Sequence, residues 1–139
     1  MVHKADSDKK VLHCLEAIQS LRPHVTKDNV LSYVNRMQKQ DYNLIYVEED
    51  GKAVAFSGYR FLTHFFSDDV IYIDDLGTIE AYRGKGYGSI LLNYIIQLAK
   101  EKNLAGVRLD SGHHRHDAHR LYLNKGFKIV SHNFNLSLK

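Results

Sequence analysis

Four of the chain's nine glycines lie between Gly77 and Gly88, in a stretch that also carries Arg83 and Lys85. Glycines crowded this way mark a place where backbone must turn sharply or approach another group closely. The stretch before them, Val70 to Ile79, is rich in Val, Ile and Tyr and reads as a strand. After them, Ile90, Leu91, Tyr94, Ile95, Leu98 and Ala99 recur at the three-and-four spacing of a helix with one buried face, over Gly86 to Lys102. A glycine-rich turn that opens a helix presents N–H groups with partial positive charge, to which Arg83 and Lys85 add full charges. Phosphate, and pyrophosphate above all, is the natural ligand of such a turn. A Walker loop would end in Gly-Lys-Ser/Thr, and a dinucleotide fold would need Gly-x-Gly-x-x-Gly with an acidic residue about 20 positions on. Neither pattern is present. The plainer alternative is a glycine-rich connection with no ligand.

A second group of reactive side chains lies further on, where His113, His114, His116 and His119 surround Arg115. Imidazoles suit zinc or nickel, and His116 and His119 would share a helix face. With Arg115 among them and no cysteine nearby, these residues are expected to line a cleft or face solvent, and no metal site is assigned.

The elements that must position these groups alternate along the chain. Residues 8 to 21 place Val11, Leu12, Leu15, Ile18 and Leu21 at helical spacing, and Pro23 ends the run. A second helix, capped by Thr26 or Asp28, carries Val30, Leu31, Val34 and Met37. Asn43 to Glu48 reads as a strand, Glu49-Asp50-Gly51-Lys52 as a hairpin turn, and Ala53 to Leu62 as the returning strand. A strand at Gly106 to Asp110 follows the glycine-flanked helix. A short helix over 115 to 125 then ends at Gly126, and Phe127 to Leu138 reads as a closing, alternating strand. The pattern is that of a single α/β domain, residues 1–139, with one mixed sheet flanked by helices.

Composition narrows the class. At 139 residues and 44% hydrophobic, the chain can bury one core without staples. The single Cys14 forms no internal disulfide and fits a reducing, cytoplasmic compartment. No segment approaches the roughly 20 apolar residues of a membrane span, so no membrane partner is expected. The 19 basic and 16 acidic residues are interspersed, without the basic stripe of a nucleic-acid binder.

Two motifs together carry a family resemblance. Arg83-x-x-Gly86-x-Gly88 resembles the acyl-CoA loop of the GNAT N-acetyltransferase family, and AHRLYLNKGF, from Ala118 to Phe127, is similar to that family's second signature. The family's order of elements matches residues 8 to 138. The resemblance implies the acyl-CoA N-acyltransferase (GNAT) fold, with a first strand absent or very short, because only seven residues precede Asp8. Glu80 stands where the family often has proline, and Arg115 where it often has asparagine, so a cofactor contact made by that asparagine must differ here.

What the resemblance implies about function is an acetyl-CoA-dependent N-acetyltransferase acting on a primary amine of a small molecule, peptide or protein. Acetyl-CoA would be the cosubstrate. Arg83, Gly84, Lys85, Gly86, Tyr87, Gly88 and Ser89 would hold its pyrophosphate. The family splays its fourth strand with a bulge just before the loop. Leu76, Gly77 and Thr78 occupy that place, their backbone groups facing the acyl and pantetheine parts. Tyr122 corresponds to the family's acid beside the cofactor sulfur, its plain alternative being an ordinary core tyrosine. An amine with a pKa of about 10.4 must lose a proton before it attacks, so a base is needed. Asp110 is the first candidate, with Asp75 and Asp74 as alternatives and His113 in reserve; Asp110 could equally cap the turn that follows it. The alternative reading of the whole is a catalytically silent acyl-CoA-binding regulatory module. The aromatic final strand could pair across a homodimer.

Overall fold

In the computed structural model, which describes all 139 residues, Val2–Lys4 forms a first strand, β1, so that strand is present and short. The run over residues 8 to 21 forms two helices rather than one, α1 (Asp8–His13) and α2 (Leu15–Leu21), meeting at Cys14. Ser7 caps α1, its side chain accepting from the Lys10 N–H. Helix α3 (Val30–Gln38) follows Asn29, whose side-chain oxygen accepts from the Thr26 N–H at 2.7 Å. The bond across the entry turn is therefore made by Asn29, in place of the cap expected from Thr26 or Asp28.

Strands β2 (Tyr42–Glu49) and β3 (Lys52–His64) form a hairpin closed by Asp50 and Gly51, both with positive φ (52° and 77°). That pair of angles belongs to a two-residue turn whose twist matches its strands. Strand β4 (Asp68–Thr78) leads through a 3₁₀ turn at Glu80–Tyr82 to α4 (Tyr87–Glu101) and then β5 (Gly106–Leu109). The sheet order is β1-β2-β3-β4-β5, antiparallel except for the parallel β4–β5 pair. Tyr42, Leu44 and Tyr46 join the apolar cluster built with Val11, Ala17, Ile18, Val30 and Val34 of the first three helices. By strand alternation the equally buried Ile45 and Val47 point to the other face, and α4 packs on β3, β4 and β5. The mixed sheet is thus flanked by helices, as the sequence pattern predicts.

These elements form one compact unit, Met1–Leu109; Asp110–Lys139 form a second. Within the second unit lies α5 (His116–Asn124). Residues 127 to 139 form no strand, contrary to the expectation from their alternation. Ile129, Phe134, Leu136 and Leu138 are exposed. Alternation supplies a strand with an apolar face but not with a partner edge, and α5 is the one regular element in this unit. No helix in the chain is long and apolar enough to cross a membrane.

Candidate functional site

The glycine-rich loop runs from Arg83 to Ser89 between β4 and α4. Gly84 and Gly86 have φ of 81° and 86°, the left-handed region that side chains with a Cβ rarely enter. A Cβ built on either would meet nothing within 4 Å, so open space lies beside the backbone there. Gly86 is the residue before the first turn of α4, and its carbonyl accepts the first helical bond, from Ile90 at 3.0 Å. The N–H groups of Tyr87, Gly88 and Ser89 precede that ladder and are the donors every helix start leaves over. Arg83 folds back, its Nε donating to the Thr78 carbonyl at 3.1 Å. Lys85 and Tyr87 both reach Glu49, at 3.1 and 2.8 Å. Glutamate and loop lie 36 residues apart or more, a pairing that leaves no local signal in the sequence.

The strand that feeds this loop has an edge left unpaired by β5. The parallel pairing ends at Ile73 opposite Leu109, while β4 continues to Thr78. Ile79 N–H donates to the Val54 carbonyl, which fixes the alternation of the ladder with β3. Bonded and non-bonded pairs alternate in an antiparallel ladder, so Leu76 and Thr78, opposite Ser57 and Ala55, turn their amides away from β3. Gly77 presents its bare Cα to Leu21 and Phe56; a Cβ there would lie 3.1 Å from each. The bulge expected at Leu76 to Thr78 lies earlier. Gly58 pairs with Asp75 and Tyr59 with Ile73, which leaves Asp74 as the extra residue. Arg60 takes both Asp74 carboxylate oxygens, which gives the displaced residue a bidentate partner.

Asp75 is already engaged. Its Oδ1 accepts from Arg22 Nε at 2.9 Å and its Oδ2 from the Tyr42 hydroxyl at 2.9 Å. Burial, then the neighbouring Asp75 carboxylate, push the Tyr42 phenol well above its ordinary range and keep it a donor. The three side chains tie the end of α2 to β2 and β4, a structural employment for a carboxylate weighed as a general base.

The second unit holds the other predicted residues. Asp110 is exposed and accepts from Asn133 Nδ2 at 3.1 Å. Tyr122 is buried on α5, and burial raises its phenol pKa, with the charge of Arg115 pulling partly back. Helix α5 ends in a Schellman motif, in which Phe127 N–H donates to the Tyr122 carbonyl and Gly126 N–H to that of Leu123. Gly126 has a φ of 96°, and the Tyr122 and Phe127 rings pack at 5.9 Å. The spacing Tyr-x-x-x-Gly-Phe in the second signature is therefore the spacing of a helix C-cap. His119 Nε2 lies 3.1 Å from Ser111 Oγ, and His113 is exposed.

Comparison with known proteins gives a consistent picture. The model of the acetyltransferase (GNAT) family matches residues 12–127. The N-acetyltransferase YhdJ of Bacillus subtilis is 35% identical over 114 residues, covering 78% of this chain and 80% of that protein. The D-amino-acid N-acetyltransferase HPA3 of Saccharomyces cerevisiae is 28% identical over 107 residues, covering 76% of this chain and 66% of the relative. Among solved structures, AAC(6')-Iy in complex with the bisubstrate analog CoA-S-monomethyl-acetylneamine superposes with a TM-score of 0.84 at 13% identity. That alignment covers 100% of this chain and 97% of the other, and it supports the fold.

Proposed function

Because this chain belongs to the GNAT family of N-acetyltransferases, we propose that it moves the acetyl group of acetyl-CoA to a primary amine by direct attack of that amine on the thioester. Acetyl-CoA supplies an activated acyl carbon and a thiolate leaving group. The observation that carries the reading is the pair of left-handed glycines, Gly84 and Gly86, beside open space and directly before three unladdered N–H groups. That combination suits polyanion binding, and a bare connection between strand and helix has no need of it.

The amides of Gly86 to Ser89 and the guanidinium of Arg83 bind and orient the pyrophosphate. On the free edge of β4, the amides of Leu76 and Thr78 take the amide-bearing arm of the cosubstrate as a further strand would be taken, and one of them serves the oxyanion. The family resemblance assigns Tyr122 as donor to the departing sulfur and Asp110 as the base that accepts the amine's proton. Asp75, with both oxygens engaged, is left to hold the strand. Cys14, reduced and buried, suits a cytoplasmic enzyme.

The test pairs calorimetry with a panel of amines, following thiol release and confirming products by mass spectrometry. Wild-type protein is expected to bind acetyl-CoA. Gly86→Val, which forces a branched side chain into a left-handed position and into the open space, should lose that affinity while staying folded. No wild-type binding up to millimolar acetyl-CoA, or unchanged affinity in the folded variant, would sink the assignment. Binding without turnover across the panel would instead favour the regulatory-module alternative.

A further inference from the structure

Lys85 and Tyr87 flank Gly86, and their side chains end on one carboxylate. Glu49 Oε1 accepts from the Tyr87 hydroxyl at 2.8 Å and from Lys85 Nζ at 3.1 Å, while its Oε2 lies 3.3 Å from the same ammonium. Glu49 closes β2, and its cross-strand partner over the Asp50-Gly51 turn is Lys52. The Lys52 ammonium lies 5.7 Å from the centre of the Tyr82 ring, and the Lys85 ammonium 5.3 Å from it. Lys52 is in turn paired with Glu16 of α2 at 2.9 Å. The end of the β2–β3 hairpin thus grips the loop at Tyr82, Lys85 and Tyr87, on both sides of its two left-handed glycines. The Tyr87 hydroxyl first, and Lys85 second, hold the Glu49 carboxyl below its ordinary range, so both bonds are made to a carboxylate.

We propose that Glu49 is a positioning residue for the acyl-CoA loop, pinning the backbone around Gly86 so that the helix-start amides are aimed before the cosubstrate arrives. The proposal rests on the reading of that loop given above. Glycine permits the turn but leaves it free to adopt others, and an unordered loop must be ordered at the expense of affinity. On charge alone a carboxylate beside a polyanion site weakens binding. Here that charge is taken up by Lys85, and the carboxylate's second use is the bond from Tyr87. The exposed ion pair holds little by itself. The charge-assisted bond from the tyrosine is the stronger pin.

Glu49→Ala removes both bonds, whereas Glu49→Gln keeps an acceptor for Tyr87 and releases Lys85. Two measurements decide the matter: amide hydrogen exchange over Gly84 to Ser89 in ligand-free protein, and titration with acetyl-CoA alongside steady-state kinetics. In Glu49→Ala, exchange over the loop should quicken, and Kd and KM for acetyl-CoA should both rise, each by roughly threefold to tenfold. Turnover at saturation should stay within about twofold of wild type, since no reacting atom is touched. Glu49→Gln, which keeps the acceptor but not its charge, should recover part of both effects. A folded Glu49→Ala protein with wild-type loop exchange, or with tighter acetyl-CoA binding, overturns the proposal. Should Glu49→Ala not fold, Tyr87→Phe removes the same pin and is read by loop exchange. Failure of wild-type protein to bind acetyl-CoA would count against the cosubstrate, while the exchange measurement would still decide whether Glu49 pins the loop.

Discussion

The Tyr122 ring packs on Phe127 to close the end of α5, while burial keeps its hydroxyl protonated. A phenol starts near pKa 10 and a free thiol near about 8.5, so complete proton transfer to a departing thiolate is uphill, and the raised phenol makes it more so. If Tyr122 acts at the departing sulfur as proposed, hydrogen-bond donation to the developing charge, rather than full proton transfer, is the role this environment would favour. Tyr122→Phe should therefore lower turnover by roughly tenfold to a thousandfold at nearly unchanged acetyl-CoA affinity. The ring pair that completes the helix cap survives the substitution, so melting temperature should change little. Near-wild-type turnover with the chemical step limiting would return Tyr122 to a purely structural role. Sequence motifs could not separate these duties, because the Tyr-x-x-x-Gly-Phe spacing completes the helix cap whether or not Tyr122 also acts in the chemistry.

Among the elements, the β3–β4 ladder shows how one missing side chain organises a region. Gly58 lies under the Tyr42 phenol where that ring crosses toward Asp75, and a Cβ at Gly58 would collide with the hydroxyl end of the ring. Gly58→Ala should displace Tyr42, break its bond to Asp75 and destabilise the fold by about 1–3 kcal/mol. Denaturant unfolding would read the loss, and an unchanged midpoint would show that the ring shifts without consequence. Gly58 carried no signal in the sequence, where it read as one residue of a strand. The loop was legible because few residues besides glycine enter the left-handed region, and because apolar spacing changes from two to three-and-four across it. Pairings between distant segments were not legible: Glu49 with Tyr87, Arg22 with Asp75 and Arg60 with Asp74 are visible only once the sheet register is known. The closing strand misled for the complementary reason, since alternation over 127 to 138 reports a face and says nothing of a partner.

Across the whole molecule, buried acids of raised pKa are expected to set the alkaline limit of stability. Burial pushes Cys14 and Tyr59 each up to about 12, and Tyr42 well above its ordinary range. Each is raised in the folded state, so its contribution is fully present below the unfolded pKa, about 8.5 for the thiol and 10 for the phenols, and is lost as pH rises toward the folded value. Melting temperature should be level from pH 7 to roughly 8.5 and fall steadily between about 9 and 12. A melting temperature constant to pH 11 would mean that the pKa values of these groups are not raised in the folded state. The connectivity of the sheet also predicts an order of assembly. Only β2, β3 and β4 follow one another through short turns; β1 and β5, the two shortest strands, join at opposite edges after helical excursions. Closing a short loop is entropically easier than closing a long one. The three-stranded meander is thus expected to form first and the parallel pairing of β5 with β4 later, an order that φ-values in β3 higher than those in β5 would bear out. The open edge of β4 at Leu76 and Thr78 follows from that connectivity: β5, reached only through α4, pairs with β4 for just part of its length.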